Sequence, residues 1–137
     1  KFCNKYSKIV FNEVIASPWV PGVKKFLETN PYNQIFTLIS ATPERELKKI
    51  ISKLKIKKCF KSVYGSPRLK SNLIKIILKR YNINSEEALM FGDTGNDYVA
   101  AKNNKVDFIF RKTQFNGKII KKHKEKFVQN FNNIVWN

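Results

Sequence analysis

The sequence predicts an α/β fold: a parallel sheet covered by helices on both faces in three layers. Short apolar, β-rich runs recur along the chain, segments with helical spacing of apolar residues lie between them, and the two types alternate. Alternation of this kind requires crossover connections, and crossovers place helices on the sheet faces.

The elements follow in order. Phe2, Tyr6, Ile9, Val10 and Val14 fall at helical spacing, so Phe2–Ile15 reads as a helix, broken by Pro18 and Pro21. Val23–Glu28 is a second helical segment, closed by Asn30-Pro31. Gln34–Ser40 is a short apolar run read as a buried strand. Thr42 then suits an N-cap, Pro43 the first helical position and Glu44 the first turn. Leu47, Ile50, Ile51 and Leu54 supply the apolar stripe of the helix that follows. Ser62–Gly65 is a weak strand, and Ser71–Tyr81 a helix with Leu73, Ile74, Ile77 and Tyr81 on one side. Ala88–Phe91 is another buried strand, followed by a short helix over roughly residues 97–102. Val106–Phe110 is the last strand predicted. Thr113–Lys126 is polar and basic, and Phe127–Val135 is a terminal apolar segment of no assigned type.

Composition narrows the function. At 137 residues and 42% hydrophobic content, one domain with a real core is expected. No apolar run approaches the roughly 18–20 residues that span a bilayer. Cys3 and Cys59 match no metal or redox spacing, and His123 is the single histidine. A zinc centre, a disulfide scaffold and a Ser-His-Asp hydrolase are therefore poor fits, and a reduced, cytoplasmic protein is expected. The formal charge is +17, but 23 of the 27 basic residues are Lys, beside 15 Asn and 15 Ile. That pattern suits a drift toward AT-rich codons as well as an attraction for anionic partners. With four Arg and no aromatic-plus-basic stripe, a nucleic-acid partner is disfavoured.

Ligands in open α/β sheets bind beyond the carboxyl ends of the strands, and three such ends carry suggestive residues. Ser40 offers a hydroxyl beside the amides of Ala41 and Thr42, which suit an anion or serve as a plain cap. Lys70 precedes Ser71, the expected N-cap, where a cation opposes the helix dipole unless an anion sits nearby; a solvated lysine is the plain alternative. Gly92-Asp93-Thr94-Gly95-Asn96-Asp97 sets two of the three Asp residues four apart at a strand-to-helix turn. Such hard oxygens suit Mg²⁺ shared with a phosphate, or an Asp-capped turn without metal.

In this order and spacing the three segments resemble the motifs of haloacid-dehalogenase-like (HAD) hydrolases, in their phosphatase form. Ile39–Thr42 resembles the second motif, Lys70 the third and Gly92–Asp97 the fourth. The resemblance implies a Rossmann-like core in which Ser40 and the Ala41 amide hold a phosphoryl group and Lys70 neutralises it. It also implies that Asp93 and Asp97 bind Mg²⁺ and that the substrate is a small phosphorylated metabolite. The family's first motif, a D-x-D after the central strand, supplies the aspartyl nucleophile and the acid/base Asp. No Asp precedes Asp93, so this chain alone is expected to be inactive.

The stretch from Ile9 to Glu28 reads like the return from the family's cap domain. Residues 1–17 are accordingly expected to be a remnant of a helical cap and residues 18–137 a partial core lacking its central first strand. Truncation is the expected cause. The exposed strand edges would be closed by direct pairing, by a swapped segment or by self-association with another chain. A catalytically inactive phosphate- or nucleic-acid-binding module, with no membrane partner, is the alternative reading.

Overall fold

The computed structural model describes residues 6–12, 21–124 and 126–132. Its strands are β1 (Lys8–Asn12), β2 (Ile35–Pro43), β3 (Ser62–Ser66), β4 (Ala88–Gly92), β5 (Asp107–Arg111) and β6 (Phe127–Val128). The helices are α1 (Val23–Thr29), α2 (Glu44–Lys53), α3 (Lys70–Arg80), α4 (Gly95–Asn103) and α5 (Gly117–His123). All six strands pair in parallel, in the order β3-β2-β1-β4-β5-β6. The expected Rossmann-like sheet is present.

One expectation is overturned. The central strand is not absent, because Lys8–Asn12 forms it, paired with β2 on one side and β4 on the other. Phe11 lies opposite Leu38 of β2 and Phe91 of β4. The helical spacing of Tyr6, Ile9 and Val10 is real, but Ile9-Val10-Phe11 is also an unbroken apolar run. Such a run satisfies a strand buried on both faces, and pairing with two neighbours decides between the two. Residues 8–12 thus belong to the core sheet and not to a helical cap remnant, so the expected boundary between residues 17 and 18 fails at this segment. The rest of the expected N-terminal helix, at residues 2–5 and 13–15, lies outside the described residues. With β2 and β4 both paired to β1, the expected strand swapping or self-association loses its physical reason.

The β1 side chains divide between the two faces as strand periodicity requires. Ile9 and Phe11 enter a core with Val23, Phe26 and Leu27 of α1 and Leu47 and Ile51 of α2. Val10 enters the opposite core, with Leu73, Ile74 and Ile77 of α3 and Ala100 and Ala101 of α4. The first core is aromatic at its centre: Phe11 stacks on Phe91 at 5.5 Å between centroids and meets Phe36 edge-on at 5.4 Å.

Two local boundaries also move. β2 runs on to Pro43, which occupies the N-cap position, so Thr42 does not cap α2. α3 begins at Lys70 with Leu69 as its N-cap, so Ser71 is helical. The polar 113–126 tract contains α5, which the sequence did not predict.

Candidate functional site

The carboxyl ends of β1, β2 and β4 lie side by side, as does the turn from β3 into α3. At the end of β2, Ser40 is buried and its Oγ accepts the amide of Thr42 at 3.1 Å. A hydroxyl that accepts from an amide keeps its own hydrogen available to donate. The same turn is tied to β3 by Glu44, whose Oε1 accepts the Gly65 amide at 3.4 Å. Gly65 is required by this approach: a Cβ there would lie 2.4 Å from the Thr42 carbonyl oxygen.

At the start of α3, Lys70 Nζ donates to Asp97 Oδ1 at 2.8 Å. Asp97 is fully enclosed, and Lys70 is largely so. The second carboxylate oxygen of Asp97 accepts the amides of Asp93 and Thr94, each at 3.2 Å. Thr94 returns the favour as N-cap of α4, accepting the Asp97 amide at 3.2 Å. Asp97 therefore closes a capping box and pairs with a lysine from the neighbouring helix. Gly92 leaves room for it, since a Cβ there would stand 2.8 Å from Asp97 Oδ2.

A cleft of about 480 Å³ opens over these ends, lined by Ser40, Ala41, Ser66, Arg68, Lys70 and Asn96 among others. The structure thus brings Ser40, Ala41 and Lys70 together, and joins Asp97 to them through Lys70. Asp93 is adjacent in the chain, but it lines a neighbouring depression with Arg111, Lys112, Thr113 and Gln114. Asn12 ends β1 opposite Ile39, one residue before Ser40.

Asn116 is a positioning residue the sequence did not reveal. It is buried, and its amide nitrogen donates to the carbonyls of Asp93 and Arg111, both at 2.9 Å. Its oxygen accepts the Thr113 amide at 2.8 Å, so one side chain locks the Asp93 turn to the end of β5. No periodic pattern marks such a residue.

Asp93 follows the end of β4, and its Oδ1 is buried. Among the described residues no group of three or more His, Cys, Asp or Glu side chains gathers as a ligand set. Three donors already engage the Asp97 carboxylate, and the residue ending β1 is a neutral Asn.

The family model described as haloacid dehalogenase-like hydrolase matches residues 1–111. No curated protein matches the sequence. Among solved structures, a haloacid dehalogenase-like family hydrolase of Streptococcus pneumoniae superposes with a TM-score of 0.69 at 18% identity, covering 78% of this chain and 53% of its own. A candidate beta-phosphoglucomutase of Thermotoga maritima gives 0.69 at 22% identity, covering 79% and 54%. The core domain of a candidate phosphoglycolate phosphatase of Streptococcus pneumoniae gives 0.65 at 14% identity, covering 89% of this chain and 98% of that domain. The chain spans about half the length of the first two of these proteins. At these identities the likeness is one of fold. No described helix is long and apolar enough to cross a membrane.

Proposed function

Because the chain belongs to the haloacid dehalogenase-like hydrolases, we propose that its cleft receives the phosphoryl group of a small phosphorylated metabolite. The observation that carries this is the meeting of Ser40, Ala41 and Lys70 in one cleft at the strand ends. A hydroxyl donor, a backbone amide and an ammonium group are what a phosphoryl group needs for positioning and charge neutralisation.

Hydrolysis is a separate matter. In this family the D-x-D after the central strand provides the attacking carboxylate and the acid/base, and here β1 ends in Asn12, followed by Glu13 and Val14. An amide does not attack phosphorus as a carboxylate does, and Val carries no proton. The parent activity of the lineage is phosphomonoester hydrolysis, and this chain holds the phosphoryl subsite without the nucleophile. The reason lies in the composition of the central strand's end; the strand itself is in place. Mg²⁺, which the family implies, would rest on the Asp93 carboxylate at the end of β4, since Asp97 is committed to Lys70 and two amides and Asn12 brings no charge.

Titration of inorganic phosphate into the chain tests this reading. Saturable binding, weakened about tenfold or more in Ser40→Ala with unchanged circular dichroism, is the expected result. Incubation with p-nitrophenyl phosphate and Mg²⁺ is expected to release no p-nitrophenol. Turnover by the unmodified chain that Asn12→Ala abolishes would overturn the assignment of Asn12 as a non-nucleophile.

A further inference from the structure

The polar and basic tract that follows β5 takes no part in the phosphoryl cleft. From Arg111 to Gln129 the sequence carries seven Lys or Arg residues against one acid, Glu125. The fold sets two exposed rings among them: Phe115 is 85% exposed and Phe127 47%. Phe115 sits on a pinned loop. The Thr113 amide donates to the Asn116 side chain at 2.8 Å, and buried Asn116 is anchored on the carbonyls of Asp93 and Arg111. A large apolar ring held in solvent by a fixed loop marks a contact surface. Two depressions flank it. One, of about 720 Å³, is lined by Phe115 with Arg111, Gln114 and Gln129, and Asp93 is its acidic residue. The other, of about 510 Å³, is lined by Phe127 with Lys118 and Lys121. Lys112 borders both, and its ammonium group lies 5.2 Å from the centroid of the Phe127 ring. In the sequence the two rings stand twelve residues apart and no stripe is visible. Folding assembles one at the β6 edge of the sheet.

We propose that this edge binds single-stranded nucleic acid without sequence preference, with bases stacking on Phe115 and Phe127 and phosphates held by Lys112 and its basic neighbours. Aromatic rings interleaved with cations are the working parts of such surfaces. Reading base edges calls for arginine forks, whereas following a phosphate backbone calls for charge alone. The scarcity of Arg therefore counts against sequence-specific readout and leaves this mode intact. A paired duplex keeps its bases stacked on one another and away from the rings. A flat anionic bilayer would lie across both depressions and strip water from Gln114 and Gln129, whereas unpaired bases can enter the depressions and hydrogen-bond to those amides. The surface shares no lining residue with the cleft of Ser40 and Lys70, so it stands independently of the phosphoryl-binding reading.

The test is fluorescence anisotropy of a labelled oligothymidylate titrated with the full chain. Saturable binding is expected, with log affinity falling against log salt at a slope of about −3, as for four phosphate contacts. Phe115→Ala should weaken binding about fivefold or more, and Phe127→Ala should do the same. Phe115 is exposed, so its replacement leaves the core untouched. Lys112→Gln should weaken binding more than Lys57→Gln, which removes an equal, exposed charge ahead of β3 at the opposite edge of the sheet. Affinity that both alanine variants leave unchanged overturns the inference, because the chain then attracts polyanions by its net charge alone. Equal or tighter binding to a duplex of the same length overturns the preference for single strands. Binding to phosphatidylserine vesicles without binding to the oligonucleotide overturns the inference in favour of a lipid surface. Absence of binding to all three overturns it outright.

Discussion

Two enclosed lysines meet α3 at its opposite ends, and they are treated differently. Lys70, at the helix start, finds a buried carboxylate at 2.8 Å. Lys8, in the middle strand, is fully buried, and its ammonium group has no hydrogen-bond partner among the described residues. It lies 3.6 Å from the centroid of the Tyr81 ring, just past the helix end, with Arg80 close enough to repel it. Nearby in the chain's hydrogen-bond network, the Thr37 and Ser62 hydroxyls lie 3.4 Å apart, Ser62 accepts from Tyr81, and Arg80 donates to the Tyr64 hydroxyl. Burial, and then Arg80, push the Lys8 pKa down to about 7. At the carboxyl ends of the strands the fold surrounds charge with counter-charge and amides. At the amino ends it tolerates a cation on an aromatic face. The first arrangement holds a buried ion pair in place, and the second stores a pH-dependent instability.

The largest effect should come from breaking the first arrangement. Asp97→Ala strands the Lys70 ammonium and leaves the amides of Asp93 and Thr94 without their acceptor. Urea unfolding should show a loss of about 3–5 kcal/mol, the usual result of removing one partner from a buried pair. Lys70→Met should cost less, because the two amides still hold the Asp97 carboxylate. Equal losses in the two variants would mean that the amides contribute little.

The second arrangement predicts a pH profile. In the unfolded chain Lys8 has its ordinary pKa of 10.5, and in the fold about 7, so between these values the unfolded state binds the extra proton. Stability therefore rises with pH across pH 7–10.5, with a slope of at most about 1.4 kcal/mol per unit, and is independent of this group below that window. Lys8→Met should remove the slope, so that the difference between the two curves isolates Lys8 from the other titrating lysines. The methionine variant should be the more stable of the two at pH 7 and lose that advantage by pH 10. A difference curve that is flat, or that falls in the opposite direction, would show that Lys8 stays charged in the fold.

The contrast also explains what the sequence revealed. The loops at the carboxyl ends were legible because their grammar is local: Gly92, Asp93, Gly95 and Asp97 mark the turn within six residues, and Leu73, Ile74 and Ile77 mark α3 by period. The meeting of Ser40 with Lys70 followed from the resemblance of their segments to the family's second and third motifs. β1 was not legible as a strand. Its five residues include a buried Lys, and only pairing with β2 and β4 distinguishes Ile9-Val10-Phe11 from part of a helix. Consequently the position of Asn12 at the end of the central strand, on which the proposed loss of the nucleophile turns, was hidden as well. Asn116 acts across the fold, through the backbone carbonyls of Asp93 and Arg111, and nothing in its neighbourhood of sequence announces it.

The smallest effects sharpen the comparison at its tightest point. Gly92 and Gly95 flank the turn that Asp97 braces, yet only one of them is sterically committed. A methyl group at Gly92 would stand 2.8 Å from Asp97 Oδ2 and from its Cβ, inside a fully buried cluster. Gly92→Ala should thus displace the carboxylate and cost about 1–3 kcal/mol, as overpacking usually does. It should also weaken phosphate binding, since Lys70 moves with its partner. At Gly95, by contrast, the nearest atom is Ile119 Cδ1 at 3.8 Å, an ordinary contact, and the residue begins α4. Gly95→Ala should leave binding unchanged and stabilise the chain by about 0.4–1 kcal/mol, because alanine restricts the unfolded state without straining the folded one. If both alanines cost the same, the turn is limited by backbone freedom and not by the room Asp97 occupies. In that case the Lys70–Asp97 pair would be a consequence of the turn and not its brace.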